Sequence, residues 1–417
     1  MTIGGRRYNS RSALVALVAG GWCFAAPSAV YAQAVIYPGV DASFDSGATQ
    51  VNTRGATSVL YNPANIFLSR RLESYADMTI LHVQYSYTKP GYDPVAINIT
   101  APPVNFGFSW KPKPVFALGG FFIPRPGGDK GTELKNLPLD TGPGTVMLVD
   151  ATATSTTFIT GVGGAFMPAK NLMVGLSVIQ TAEDSQFIAR EAGTSDDAHV
   201  LAAMRTQGIF YQLVAGARYR LDDERIVAGS FKNAVERKYK GTQIVKGDQD
   251  NDIMKQGYDP STLSIGMEYQ KPKTKFFGEI HRAAWSAGAS SSKSGLPGGT
   301  GDRDYVDTYD LILGGRFLIS DDGKVVSASY GYYPANVGNG SYLSSGGGGR
   351  VGPSIGEMEN LNRHMISGKF SMGNKKFDFR GGINFITGSR SVPEGYSGSG
   401  KYSLTTITVG GGGNWYF

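Results

Sequence analysis

The chain has 417 residues, 58 of them glycine, with 11% aromatic and 18% charged side chains and a formal net charge of +6. No run beyond residue 33 approaches the ~20 consecutive apolar residues of a membrane helix, which excludes a helical membrane bundle. The charge is modest for the length, and no Lys/Arg stripe interleaves with aromatics, so nucleic acid is not an expected partner.

Residues 1–32 read as a signal peptide. Arg6, Arg7 and Arg11 are its basic region, and "ALVALVAGGWCFAA" is its apolar core. Val30 and Ala32 set a cleavage site after Ala32. Cys23 is the only cysteine, and bulky Trp22 before it argues against lipid attachment. The mature chain then has no disulfide or cysteine-metal framework. Next comes "GATSVLYNPANIFLS", residues 55 to 69, apolar but broken at Asn62-Pro63. Read alone, Asn-Pro is a common turn starter.

Beyond residue 70 the dominant signal is alternation of period two. In "GIFYQLVAGARYRL", Ile209, Tyr211, Leu213, Ala215, Ala217, Tyr219 and Leu221 share one face, opposite Phe210, Gln212, Val214, Gly216, Arg218 and Arg220. Tyr309, Leu311, Leu313 and Phe317 likewise oppose Asp310 and Arg316, and Phe377, Phe379, Ile383 and Phe385 oppose Asp378, Arg380 and Asn384. Mid-strand charges on the polar face distinguish this pattern from a soluble sandwich and match a membrane barrel with lipid outside.

Fourteen strands are expected near 71–88, 103–112, 114–123, 153–168, 171–190, 205–221, 224–241, 260–271, 273–288, 303–319, 323–333, 360–373, 375–388 and 402–417. Short joints such as "KPKP", "LDDE" and "GNKK" alternate with long Gly-rich ones, the asymmetry of outer-membrane barrels. The even count puts both ends on the periplasmic side. Terminal Phe417, behind Trp415, Val409 and Ile407, resembles the strand read by the barrel-assembly machinery.

"RGATSVLYNPA" resembles the hatch signature of the FadL-type outer-membrane transporters, carried by Ala56, Thr57, Ser58, Tyr61, Asn62, Pro63 and Ala64. "YRLDDERIVAGSFKNAVERKYKG", "PSTLSIGMEYQ" with "AAWS", and "SYGYYPANV" extend the likeness over most of the mature chain. Arg54-Gly55 stands where the family usually has an acidic pair, and Asn65 where a Gly is common. "TQIVKGDQDNDIMKQGYD" is shorter and more polar than the fatty-acid transporters' counterpart, leaving the solute open. The resemblance implies an all-β fold: a 14-stranded antiparallel transmembrane β-barrel over 71–417, with residues 33–70 as a small hatch in its lumen. It implies a monomer in the outer-membrane lipid that carries hydrophobic small molecules, long-chain fatty acids first and aromatic hydrocarbons second. Its solute would leave sideways through a gap in the wall.

Strand three supplies that gap. Pro124 and Pro126 cannot donate to the ladder, and Gly127 and Gly128 suit a bend. Residues 121–128 then form a kink, with Phe121, Phe122 and Ile123 as apolar contacts. The simpler reading ends the strand at Pro124 on the rim. Arg190 and Arg205 bracket an external loop and are candidates for a substrate carboxylate, although alternation points Arg190 outward. "SDDAHVLAAMRTQ" reads as a short amphipathic helix with Val200, Leu201 and Met204 as a lid. Lys232, Glu236, Glu279, Asp310, Arg316, Arg363 and Arg380 are expected in the lumen. Glu279 and His281 share a face, but no serine constellation joins them, and His82, His199 and His364 form no metal cluster. No enzyme, cofactor or metal is therefore expected. A general porin without a plug is the rival.

Overall fold

The computed structural model describes residues 38–125, 132–142, 145–194, 199–245, 248–288, 300–320, 323–345, 361–392 and 400–417. The signal peptide expected over 1–32, and Pro126 and Gly127, lie outside the described residues. The chain forms a closed antiparallel barrel of 14 strands. These are β1 (Leu72–Thr88), β2 (Val95–Ala101 and Val104–Lys113), β3 (Phe116–Arg125 and Thr132–Gly142), β4 (Thr145–Ala169) and β5 (Leu172–Glu191). Then come β6 (Val200–Arg220), β7 (Arg225–Lys232 and Val235–Val245), β8 (Asp248–Asp259 and Thr262–Gln270), β9 (Thr274–Ala283) and β10 (Thr308–Leu318). The last are β11 (Val325–Tyr333), β12 (Asn362–Gly373), β13 (Phe377–Val392) and β14 (Gly400–Tyr416). The barrel closes where β14 pairs with β1, from Glu73–Tyr416 to Thr88–Lys401. The first and last strands are thereby paired with each other, so the sheet closes as a lipid environment demands. Residues 303–305, expected in strand ten, instead belong to a separate ribbon in which Thr300–Tyr305 pairs with Val337–Ser345.

The expected outward faces are observed. Ile209, Tyr211, Leu213, Leu311, Leu313, Ile383 and Phe385 are all exposed on the outer wall. Trp110, Tyr219, Phe276, Phe317 and Trp415 lie near the short turns and are likewise exposed. An apolar wall with aromatics at its rim is the surface of a membrane-spanning barrel.

The inward face is graded. On β1 the buried positions run Glu73, Tyr75, Asp77 and Thr79 near the short-turn end, then Leu81, Val83, Tyr85 and Tyr87 towards the long loops. β14 repeats this in reverse chain order, with Tyr402 and Leu404 above Thr406 and Thr408. On these two strands the lower inward face is polar and the upper one is apolar.

Three strands carry interruptions that simple alternation does not foresee. β2 breaks at Pro102-Pro103, so strand two extends to Val95, beyond its expected start. β8 breaks at Pro260-Ser261. β7 breaks at Asn233-Ala234, and this shifts its alternation by one residue. Ala228 and Ser230 face inward before the break, whereas Arg237 and Tyr239 face inward after it. Glu236 therefore projects outward, near Lys238, contrary to expectation. The lid helix expected in "SDDAHVLAAMRTQ" is also corrected. From Val200 onward the segment is β6, paired with β5 through Ala189–Ala202. Alternation turns Met204 into the upper lumen, and Leu201, at a register shift in the ladder, is buried there too; the long-range ladder overrides local helix propensity.

Candidate functional site

Residues 38–69 fold inside the barrel. They form one helical turn, Val40–Ser43, and two 3-10 turns, Gly55–Leu60 and Pro63–Leu68. Nearly every residue of this hatch is buried, so its polar groups need partners within the barrel.

Asn62 caps the second 3-10 turn. Its side chain accepts from Ala64 N at 3.2 Å and donates to Gln50 O at 3.3 Å and to Ala217 O of β6 at 3.2 Å. Pro63 suits the first position of the turn, where no N–H is needed. The Asn62-Pro63 backbone lies directly against β5 and β6. A Cβ at Gly175 would overlap the Pro63 carbonyl, and one at Gly216 would overlap Asn62 Oδ1. Asn62, Pro63 and Ala64 are thus a wall-contact element.

The other face of the hatch is apolar. Ala56, Val59, Leu60, Ile66 and Phe67 pack with Phe121 and Ile123 of β3, Ala117, Ile179 and Val214. Phe121 also meets the Tyr75 ring at 5.8 Å. Phe122 points outward, stacked with Phe158 at 6.3 Å. Pro124 stands opposite Phe158 in register. The ladder between β2 and β3 ends at Phe106–Phe122 among the described residues. Beyond it, Val95–Ala101 of β2 pairs only with β1, and Thr132–Gly142 of β3 pairs only with β4. The β2–β3 ladder is thus interrupted at a seam beside the hatch, although the upper segments of the two strands remain close neighbours. Val95 and Leu137, one on each side of it, belong to the apolar cluster that fills the upper lumen with Tyr85, Tyr87, Phe187 and Tyr402.

The polar side of the hatch is pinned through Asp41 and Asp45, two acids that the sequence alone did not single out. Asp41 pairs with Arg380 of β13 and, at 3.3 Å, with Lys369 of β12. Asp45 accepts from Arg316 of β10 at 2.5 Å, Lys369 at 2.5 Å and Ser327 at 2.9 Å. Burial alone would raise both carboxyls. Arg380 and Lys369 nevertheless hold Asp41 well below the ordinary carboxylate range, and Arg316 and Lys369 lower Asp45. The clue in the sequence was two acids four residues apart in a segment otherwise short of acids.

Glu279 of β9 is the most densely used group. Its Oε1 accepts from Gln50 N at 2.8 Å and Val51 N at 3.0 Å, and its Oε2 from Thr49 N at 2.7 Å. His281 Nε2 lies 3.0 Å from Oε2. Glu279, with His281 on the same face beside it, is thus a clasp on the hatch backbone. The departures from the family pattern are also contacts. Arg54 pairs with Asp378 and donates to Tyr416 at 3.2 Å. Gly55 has φ +63°, and a Cβ there would crowd the Glu73 carboxylate. Asn65 donates to Gln50 O at 2.6 Å and accepts from Arg218 at 3.4 Å.

Arg190 and Arg205 do not come together in the lumen. Arg205 projects from the outer face of β6, paired with Asp184 at 2.8 Å, because the inward positions there are Met204 and Thr206. Arg190 stands opposite Asp150 on the outward register of β5. A shift does occur between Ala189 and Arg190, but the extra residue is Leu201 on β6, so Arg190 is not turned inward. Lys232, Arg316, Arg363 and Arg380 occupy inward positions as expected, as do Glu279 and Asp310.

A crystal structure of a Pseudomonas aeruginosa FadL homologue superposes with TM-score 0.67 at 12% identity, covering 90% of this chain and 97% of that one. This chain has the FadL-type fold. The Pseudomonas putida toluene transporter TodX follows with TM-score 0.60 at 12% identity, covering 92% of this chain and 99% of that one. The Ralstonia pickettii toluene transporter TbuX gives 0.57 at 11%, with 92% and 99% covered. No family model and no curated protein sequence matches the chain. The FadL-type fold accounts for the hatch inside a closed 14-strand wall. At these identities the solute must be argued from the residues of this chain.

Proposed function

We propose that this protein passes hydrophobic small molecules across the outer membrane without an energy source. The solute enters at the long-loop end, partitions into the apolar upper lumen, and is stopped by the hatch. It then leaves sideways into the lipid through the β2–β3 seam at residues 121–128. The observation that carries this reading is the continuity of the apolar cluster from Tyr85, Tyr87 and Tyr402 to Val95 and Leu137 at the seam. A solute following it exchanges one apolar surface for another and never meets the polar hatch–wall interface. Burying apolar surface at ~25 cal/mol per Å² supplies the attraction.

Long-chain fatty acids are the first solute class to test. An uncharged hydrocarbon is the second, favoured by the outward placement of Arg190 and Arg205, which removes the expected carboxylate anchors. Uptake of labelled oleate and of toluene by cells making the Pro124→Ala/Pro126→Ala variant tests the route. Restored pairing of β3 is expected to slow both. Unchanged uptake overturns the seam as the exit. A plug also implies near-silence in planar bilayers, whereas large stable conductance would identify a general porin.

A further inference from the structure

A second feature lies on the opposite side of the hatch, and it does not depend on the apolar route above. At the short-turn end, the hatch and the wall enclose an open-mouthed cavity of about 580 Å³. Among the described residues, nine lysine and arginine side chains line it against two carboxylates, Asp41 and Asp378. Those two are already paired with Lys369, Arg380 and Arg54. Counting Asp45 and Glu268, which reach Arg316, Lys369 and Lys275 from outside the lining, the described side chains still carry more positive than negative charge. Like charges therefore face one another across the hatch–wall boundary: burial first, and then Arg380, lower the pKa of Arg54. Crowding of this kind is costly unless a counter-charge enters.

The polar fit is independent of the charge count. Asn52 of the hatch lines the cavity, is only 4% exposed, and has no partner for either its amide nitrogen or its amide oxygen. Arg316 lines it too, and its Nε has no partner, although its other end is held by Asp45. Buried polar groups are rarely left unsatisfied without a ligand or water to complete them. An oxyanion could accept from the Asn52 amide and the Arg316 Nε–H at once, with the rim lysines Lys271 and Lys273 above it. Charge-assisted hydrogen bonds of this type are the strong ones.

We infer that this cavity is an oxyanion site, open towards the periplasm, for a small carboxylate- or phosphate-bearing molecule that bridges hatch and wall. The test is calorimetry on the full chain in an uncharged detergent at low salt, with inorganic phosphate and with acetate as probes. Neither probe has an apolar tail, so neither reports on the upper lumen. Binding is expected for the unaltered protein, weakened about tenfold or more by Lys271→Gln/Lys273→Gln and by Asn52→Leu. The rim pair lies in an exposed turn and decides the matter if Asn52→Leu does not fold. Binding of acetate alone identifies a carboxylate ligand, and of phosphate alone a phosphate ligand. Absence of binding by both probes, or unchanged affinity in a folded variant, overturns the site.

Discussion

Replacing Glu279 with glutamine changes one oxygen for an NH₂ group and leaves the shape alone. In the native clasp two oxygens accept three hatch N–H groups, from Thr49, Gln50 and Val51, and contact His281. With the amide oxygen turned towards Gln50 and Val51, those two bonds survive but lose their charge assistance, at about 1 kcal/mol each. Thr49 N–H then faces a donor and is left unsatisfied in a buried place, at about 1–3 kcal/mol. The sum is roughly 3–5 kcal/mol against docking of residues 49–51. Each 1.4 kcal/mol is a factor of ten, so the released population rises by about a hundredfold or more. No cysteine follows residue 32, so a single Thr53→Cys probe can report release. Thr53 is fully buried. The expected result is much faster maleimide labelling of Thr53→Cys in the Glu279→Gln background, with opening events in planar bilayers. Equal labelling rates and equal silence would refute the clasp, since they would mean that the carboxylate contributes nothing to docking.

Three further outcomes are expected. Gly216→Val should displace Asn62-Pro63 and raise conductance while the barrel still assembles; retained silence in a bilayer recording would contradict the close approach at β6. Docking lowers the pKa of Asp41 and Asp45, so their contribution is complete above the free-aspartate value of 3.8 and fades as pH falls below it. Thr53→Cys labelling should thus stay slow from pH 8 to 5, when sampled with a pH-tolerant thiol reagent, and accelerate only near pH 3. Acceleration already at pH 5 to 6 would point to other groups. Arg205→Ala removes an exposed pair worth at most about 1 kcal/mol, so melting and solute uptake should both be unchanged. Loss of oleate uptake would restore Arg205 as a carboxylate anchor.

Strand number, turn asymmetry and outer face were legible because they are local and repetitive. Ile209, Tyr211 and Leu213 announce their common face within five residues. Glu236 was misplaced because parity was carried through Asn233-Ala234, where the backbone spends one residue on a break. Val200 to Met204 fit a helix by local pattern, yet the long ladder to β5 decides their state. The hatch was legible as a broken apolar segment with Asn62-Pro63. Its clasps were not, because Asp41, Asp45 and Thr49 to Val51 find partners on strands hundreds of residues away. Only the closed barrel brings those partners to one level.

That separation has a consequence for assembly. Asp41 meets Arg380 across 339 residues, and Asp45 meets Lys369 across 324. The first strand likewise closes on the last. Contacts this distant in sequence pay a loop-closure cost before they return any stability, which slows folding. The hatch is made before the wall that holds it, and β12 and β13 must be in place before its two aspartates are neutralised. Until then a segment carrying Val59, Leu60, Ile66 and Phe67 has no apolar surface to cover it. An escort that shields the unassembled chain through this interval would therefore govern the yield of folded protein more than any single clasp does.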